Sequence, residues 1–212
     1  MIAIIDYKAG NLKSVERALK KLGFPCRVTQ HREEILNSER IIFPGVGAAG
    51  KAMADLGHLG LDEVLRREFK AHKPILGICL GVQIILERSE ENDVQCLGII
   101  KGDVKLFPRS LFSEENERLK IPHMGWNGVH LHKKHSVLQG ITPADEFYFV
   151  HAYYPLPALD GYVVGTTSYG IEFPSIIGYE NLIAVQFHPE KSGKAGLRIL
   201  RNFCTWDGDY VE

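Results

Sequence analysis

Pro74-Ile75-Leu76-Gly77-Ile78-Cys79-Leu80-Gly81-Val82-Gln83 is the stretch on which the fold turns. The apolar run Ile75 to Ile78, started by Pro74, has the length and composition of a buried strand. Past Gly81 the pattern changes. Val82, Ile85 and Leu86 recur at helical spacing, and the helix is expected to end near Ser89. Cys79 therefore falls on a tight strand-to-helix turn, between Gly77 and Gly81. The Gly-x-Cys-x-Gly spacing repeats the hydrolase nucleophile elbow with sulfur in place of oxygen. Glycines flank such a nucleophile because the turn is crowded. A cysteine in an apolar run is otherwise more often a buried structural residue. The nucleophile is the thiolate, which a helix N-terminus and a neighbouring imidazolium both favour.

With 212 residues, 45% hydrophobic and 24% charged, the chain is expected to form one domain over residues 1–212 with a substantial core. The net charge of −1 provides no basic footprint for nucleic acid. Four cysteines, Cys26, Cys79, Cys96 and Cys204, are far apart and unpaired in sequence. That spacing argues against zinc and against a disulfide framework, and for a reducing compartment. The sequence enters a strand at Ile2 with no basic leader and no long apolar run, so a cytoplasmic protein without a membrane span is expected.

Working outward, Ile2 to Ile5 reads as a parallel strand buried on both faces. The loop Asp6 to Asn11 follows, then a helix with Leu12, Val15, Leu19 and Leu22 on one side, stopped at Gly23. One glycine in that loop is too few for a dinucleotide fingerprint. Val28 marks a short second strand and Arg40 to Phe43 a third, which runs into Pro44-Gly45-Val46-Gly47. Two glycines around Val46 let a peptide plane rotate, so an N–H could face a pocket at the C-terminal edge of the sheet. A plain strand-to-helix turn is the alternative. A long helical stretch follows, broken near Gly57 and Gly60.

The middle of the chain is rich in short strands: residues 97–100, 104–107, 128–131, 147–150 and 162–164. The run 113–120, with Glu114 to Glu117, reads as an exposed connection. Residues 121–127 read as a loop, odd in carrying Met124 and Trp126. It is either tucked against the core or a contact surface. The last strand, Leu182 to Phe187, ends at His188-Pro189-Glu190, and a helix with Leu197, Ile199, Leu200 and Phe203 inward completes the chain.

Nine histidines compete to serve as base for Cys79. His31, His58, His72, His132 and His135 lie in polar stretches, and His130 in an exposed strand. Of His123, His151 and His188, only His188 ends a long apolar strand with a carboxylate two residues on. In extended chain, residues i and i+2 face the same way. Glu190 could then hold one ring nitrogen while the other faces the thiol, the third-group role of a triad. His151 is the reserve, more readily a core or pocket-lining residue.

Gly77-Ile78-Cys79-Leu80-Gly81-Val82-Gln83 together with Gln186-Phe187-His188-Pro189-Glu190 resembles the class I (triad) glutamine amidotransferases. Pro44 to Gly47, Pro122 to Asn127, Tyr148 to His151 and Lys191-Ser192 resemble one branch, the glutaminase subunit of imidazole glycerol phosphate synthase. The likeness runs from Ile2 to Phe203. Val82 departs from the usual Met and Ala49 from a frequent Phe, both staying apolar. The resemblance implies an α/β fold with a mostly parallel central sheet, flanking helices and added antiparallel strands. It implies catalytic Cys79, His188 and Glu190. Gly45, Val46, Gly47 and Leu80 would serve the oxyanion, and Gln83 the substrate glutamine. Asn11, His123, Met124, Trp126 and Lys191 would face a (β/α)₈-barrel cyclase subunit in a heterodimer. No cofactor or metal is implied, and no phosphate-cradling motif is present. The rivals are an amidotransferase subunit of another synthase, such as a sugar-modifying one, a silent regulatory subunit, and a lone cysteine peptidase or γ-glutamyl hydrolase.

Overall fold

A computed structural model describes residues 1–8, 10–113 and 115–209. Ala9 of the first loop, Glu114 of the charged run and residues 210–212 lie outside the described residues. The first part of the chain alternates strand and helix: β1 (Ile2–Ile5), α1 (Leu12–Lys21), β2 (Cys26–Thr29), α2 (Arg32–Leu36), β3 (Arg40–Gly45), α3 (Ala49–Leu59), α4 (Leu61–Lys70), β4 (Ile75–Cys79) and α5 (Leu80–Ile84). Helical crossovers bring successive strands back in the same direction. Accordingly β1 lies parallel to β2 and β3, and β3 parallel to β4. The α3–α4 break falls at Gly60, whose φ of 64° suits a residue without Cβ.

The second part is mainly antiparallel: β5 (Arg88–Ser89), β6 (Val94–Gln95), β7 (Gly102–Leu106), β8 (His123–Gly128), β9 (His130–Leu131), β10 (Glu146–His151), β11 (Tyr153–Pro157), β12 (Val163–Ser168), β13 (Glu172–Tyr179) and β14 (Leu182–Val185), followed by α6 (Gly193–Thr205). The main sheet has the order β2-β1-β3-β4-β14-β13-β12-β9. Strand β14 returns parallel to β4, and the strands beyond it run antiparallel. Strands β8 and β10 pair separately, and β11-β7-β5-β6 form a side sheet. This is the α/β architecture expected from the sequence.

Alternation along β1 explains its unbroken apolar run. Ile2 and Ile4 join a core with Val15 and Leu19 of α1 and Ile199 and Phe203 of α6. Ala3 and Ile5 join a second core with Ile35, Leu56 and Leu65 of α2, α3 and α4. Both faces are covered, so every position is apolar. No helix of the described residues is long and apolar enough to cross a membrane.

Several expectations are corrected. Helix α5 ends at Ile84, short of Ser89. Residues 97–100 are not a strand: the N–H groups of Leu97, Gly98 and Ile99 donate to the carbonyls of Ile84, Leu86 and Ile85 at 2.8, 2.7 and 2.9 Å. The segment thus satisfies the orphan carbonyls that end α5, and its apolar side chains are largely buried there. Residues 123–128 are strand β8, not a loop, with Trp126 opposite Tyr148 and Met124 opposite Val150 on β10. His123 is 2% exposed, Met124 61% and Trp126 54%, so the segment is both tucked in and presented outward, by strand alternation. The eight-residue β13 has no clear sequence signal, because Pro174 and Gly178 punctuate it. His135, although its neighbours in sequence are polar, is buried against Trp206 with ring centroids 4.9 Å apart.

Candidate active site

Sheet register assembles the site. Gly45 is the ladder partner of Cys79, and Val185 of Ile78. The C-terminal ends of β3, β4 and β14 therefore deliver the Pro44–Gly47 loop, the sulfur and the Gln186-Phe187-His188 segment to one edge, where open α/β sheets place their sites. Cys79 has φ 54° and ψ −106°, a conformation costing a side-chain-bearing residue about 1–3 kcal/mol. Neighbours over-determine it. A Cβ on Gly81 would lie 2.2 Å from the Phe43 carbonyl oxygen, and one on Gly45 2.0 Å from the Tyr7 hydroxyl. Gly81→Ala must push the turn off β3. We expect a stability loss of about 3 kcal/mol in thermal denaturation, with slowed Cys79 alkylation in whatever remains folded. An unchanged melting temperature would mean that the backbone contact is not rigid.

His188 Nδ1 lies 2.8 Å from Glu190 Oε1, with the two side chains 1% and 0% exposed. Residues Pro189–Lys191 form a single 3₁₀ turn, so the pair meets across a turn and not along the extended chain the sequence suggested. The His188 backbone is pinned on both sides: its N–H donates to the Tyr148 carbonyl at 2.9 Å, and its carbonyl accepts from Ser192 Oγ at 2.6 Å. Burial alone works against a charged ring. Hydrogen bonding and charge from Cys79 and Glu190 outweigh it and raise the His188 pKa to about 9. Among the described residues His188 Nε2 has no partner of ordinary hydrogen-bond geometry, so we read the influence of Cys79 as close electrostatic approach, not a formed bond. Asn11, expected at a partner face, donates from Nδ2 to the same Glu190 oxygen. It braces the carboxylate.

A cavity of about 410 Å³ opens beside these groups, lined by Val46, Gly47, Cys79, Gln83, His151 and His188. A larger one, about 790 Å³ between Lys134, Tyr162 and Tyr179, holds none of them. The smaller carries the sulfur and the imidazole, so it is the candidate site. Gln83 Nε2 donates to the Tyr153 carbonyl at 2.9 Å and to Gln186 Oε1 at 3.0 Å. The Gln83 amide nitrogen is therefore occupied by the protein itself. Leu80 is buried at the start of α5, while Val46 and Gly47 are exposed. Among the described residues no group of three or more His, Cys, Asp or Glu side chains could hold a metal ion.

His151 Nδ1 lies 2.7 Å from the Tyr153 carbonyl, which can only accept, so that nitrogen carries the proton. His151 Nε2 then accepts from His123 Nδ1 at 3.1 Å, and His123 Nε2 from Asn127 Nδ2 at 3.3 Å. Burial lowers His151 to about 3 and His123 to about 4, so both rings are neutral near pH 7. His123 is thus a correction: it lies under the surface, stacked on Phe149 and Tyr169, and not at an exposed face. Met124, Trp126 and Lys191 do face outward, with Lys191 Nζ 5.7 Å from the Tyr148 ring centroid and Trp126 edge-on to Tyr148. Sequence reasoning missed Tyr7, Glu91 and any role for Gln186. Tyr7 touches Gly45, and Glu91 accepts from the Ala49 N–H at 2.7 Å at the cavity wall. Gln186 stands inside the His188 motif, but nothing in spacing shows where its amide points.

The chain matches the family model described as glutamine amidotransferase class-I over residues 3–206, and it belongs to that family. It resembles the solved "Crystal structure of glutamine amidotransferase" at a TM-score of 0.72 and 18% identity, over 96% of this chain and 97% of the other, a likeness of fold. Among curated relatives, it is 53% identical to imidazole glycerol phosphate synthase subunit HisH of Nitratidesulfovibrio vulgaris (strain DP4), over 99% of both chains. It is 51% identical to the protein of the same name from Maridesulfovibrio salexigens, over 96% of this chain and 95% of the other.

Proposed function

We propose that this chain hydrolyses glutamine to glutamate and ammonia, and passes the ammonia to a (β/α)₈-barrel cyclase subunit. That partner would make imidazole glycerol phosphate and aminoimidazole carboxamide ribotide in histidine biosynthesis. The reading rests on one observation: a strained cysteine turn and His188, far apart in sequence, border the same cavity, and His188 is held from behind by the buried Glu190. The names of the relatives describe a synthase subunit, which supports a companion chain. The outward Met124 and Trp126, beside a Tyr148 whose carbonyl holds His188, support a docking face for it there. Four free cysteines fit the reducing cytoplasm.

The geometry supports the following chemistry. The Cys79 thiolate attacks the side-chain amide carbon of glutamine, and the oxyanion is met by the Leu80 N–H and one N–H of the Gly45–Gly47 loop. His188, oriented by Glu190, gives its proton to the departing ammonia, leaving a thioester. It then takes a proton from water, which adds to the thioester carbon. The C–S bond breaks and glutamate leaves. Ammonia released to water would become ammonium, which is no nucleophile, so a closed path to the acceptor is required.

We infer that the Gly45–Gly47 loop completes the oxyanion hole only in the assembled complex. Glutamate release should rise roughly 5–150-fold when the cyclase subunit and its acceptor nucleotide are added. Equal rates with and without them would mean that the loop is complete in the isolated chain. No release under either condition would defeat the glutaminase reading.

A further inference from the structure

The geometry points to Gln186 as a second stabiliser of the Cys79 thiolate: its side-chain amide, anchored by Gln83, presents an N–H to the sulfur. This rests on the glutaminase reading and deepens it. Gln186 follows Val185, whose ladder partner is Ile78, so the register sets it beside Cys79. Its side chain is fully buried, a costly place for an amide without partners. The amide has them: Oε1 accepts from Gln83 Nε2 at 3.0 Å, and Nε2 lies 3.8 Å from Cys79 Sγ.

The direction of this amide follows from its neighbours. The Tyr153 carbonyl can only accept, so the Gln83 atom 2.9 Å from it is nitrogen. A nitrogen with two protons then faces Gln186, which must answer with oxygen. The Gln186 nitrogen is left toward the sulfur. Flipping either amide would set two donors or two acceptors against each other. The Tyr153 carbonyl is itself held by His151 Nδ1, so the anchor is a fixed point of the core.

Gln186 and His188 thus serve the sulfur differently. The imidazolium must surrender its proton to ammonia, while an amide N–H has no proton to lose at these pH values and stays a donor throughout the cycle. It supports the thiolate before attack. It supports the same sulfur when the C–S bond of the thioester breaks and the electron pair returns to it. Gln83 acts only through Gln186 in this respect and is a positioning residue.

The test is alkylation of the full chain by iodoacetamide without glutamine, with peptide mass spectrometry reading Cys79 against the half-buried Cys26. Gln186→Met keeps length and removes the donor. Its Cys79 should react about tenfold more slowly at pH 7, with the rate profile displaced to higher pH. Glutaminase kcat in the complex should fall in proportion, with KM for glutamine little changed. Gln83→Met leaves the donor but frees it, with a slowing of roughly threefold expected. Should Gln186→Met not fold, Gln83→Met decides between the outcomes. A folded variant whose Cys79 reacts at the wild-type rate and with the wild-type profile overturns the proposal alone. A wild-type Cys79 no more reactive than Cys26 overturns the glutaminase reading, and this one with it.

Discussion

Cys79→Ala in the assembled complex should lower glutamine-dependent synthesis by about 10⁴–10⁶-fold, while synthesis from added ammonium salt stays within about twofold of wild type. The first figure follows from losing the nucleophile that the candidate cavity offers beside His188. The second follows from the proposed division of labour, in which an acceptor site on the partner would see the same ammonia whatever its origin. Alanine suits the turn sterically, since the Cys79 side chain is small and buried. The variant should therefore fold and bind its partner. Loss of both activities in a complex shown to be intact would mean that this chain does more for the partner than supply ammonia.

The elements that can be read from the sequence share a physical property: their signal is local. Strands β1 and β4 are continuous apolar runs because both faces of the sheet are covered, and Gly23 and Gly60 stop helices through their own backbone preference. The Cys79 elbow is legible for the same reason, since crowding at a tight turn dictates glycine within two residues. What escapes is set by distant partners. Residues 97–100 look like a strand, yet their N–H groups belong to the end of α5. Strand β8 looks like a loop because its buried His123 and outward Trp126 reverse the usual sense of inside and outside. The His188–Glu190 contact is legible as an imidazole held by its carboxylate, with the wrong intervening geometry, as an extended chain and a 3₁₀ turn both let the two side chains meet. Asn11 and Gln186 make contacts 179 and 107 residues away in sequence, to Glu190 and Cys79, which no spacing rule reaches.

Glu190→Gln should be nearly as damaging as loss of the sulfur, though it changes one atom. The carboxylate accepts from His188 Nδ1, which places the neutral ring's reactive lone pair on Nε2, toward the thiol. A glutamine can present an N–H to Nδ1 instead, selecting the other tautomer, and kcat should fall by about 10⁴-fold with little change in KM. The same substitution has a signature in stability. The His188 pKa stands at about 9, against 6.5 for an unperturbed ring, so the native state binds the extra proton between those values. The stability this contributes is complete below about pH 6.5 and drains as pH rises through about 9. Thermal melts of the wild type should therefore fall across that window, and fall less steeply in Glu190→Gln, where one of the two supports of the imidazolium is gone. Parallel slopes would show that Glu190 orients the ring without holding its charge. Activity would then depend on the tautomer alone, and Asn11, which donates to the same oxygen, would matter only as a brace.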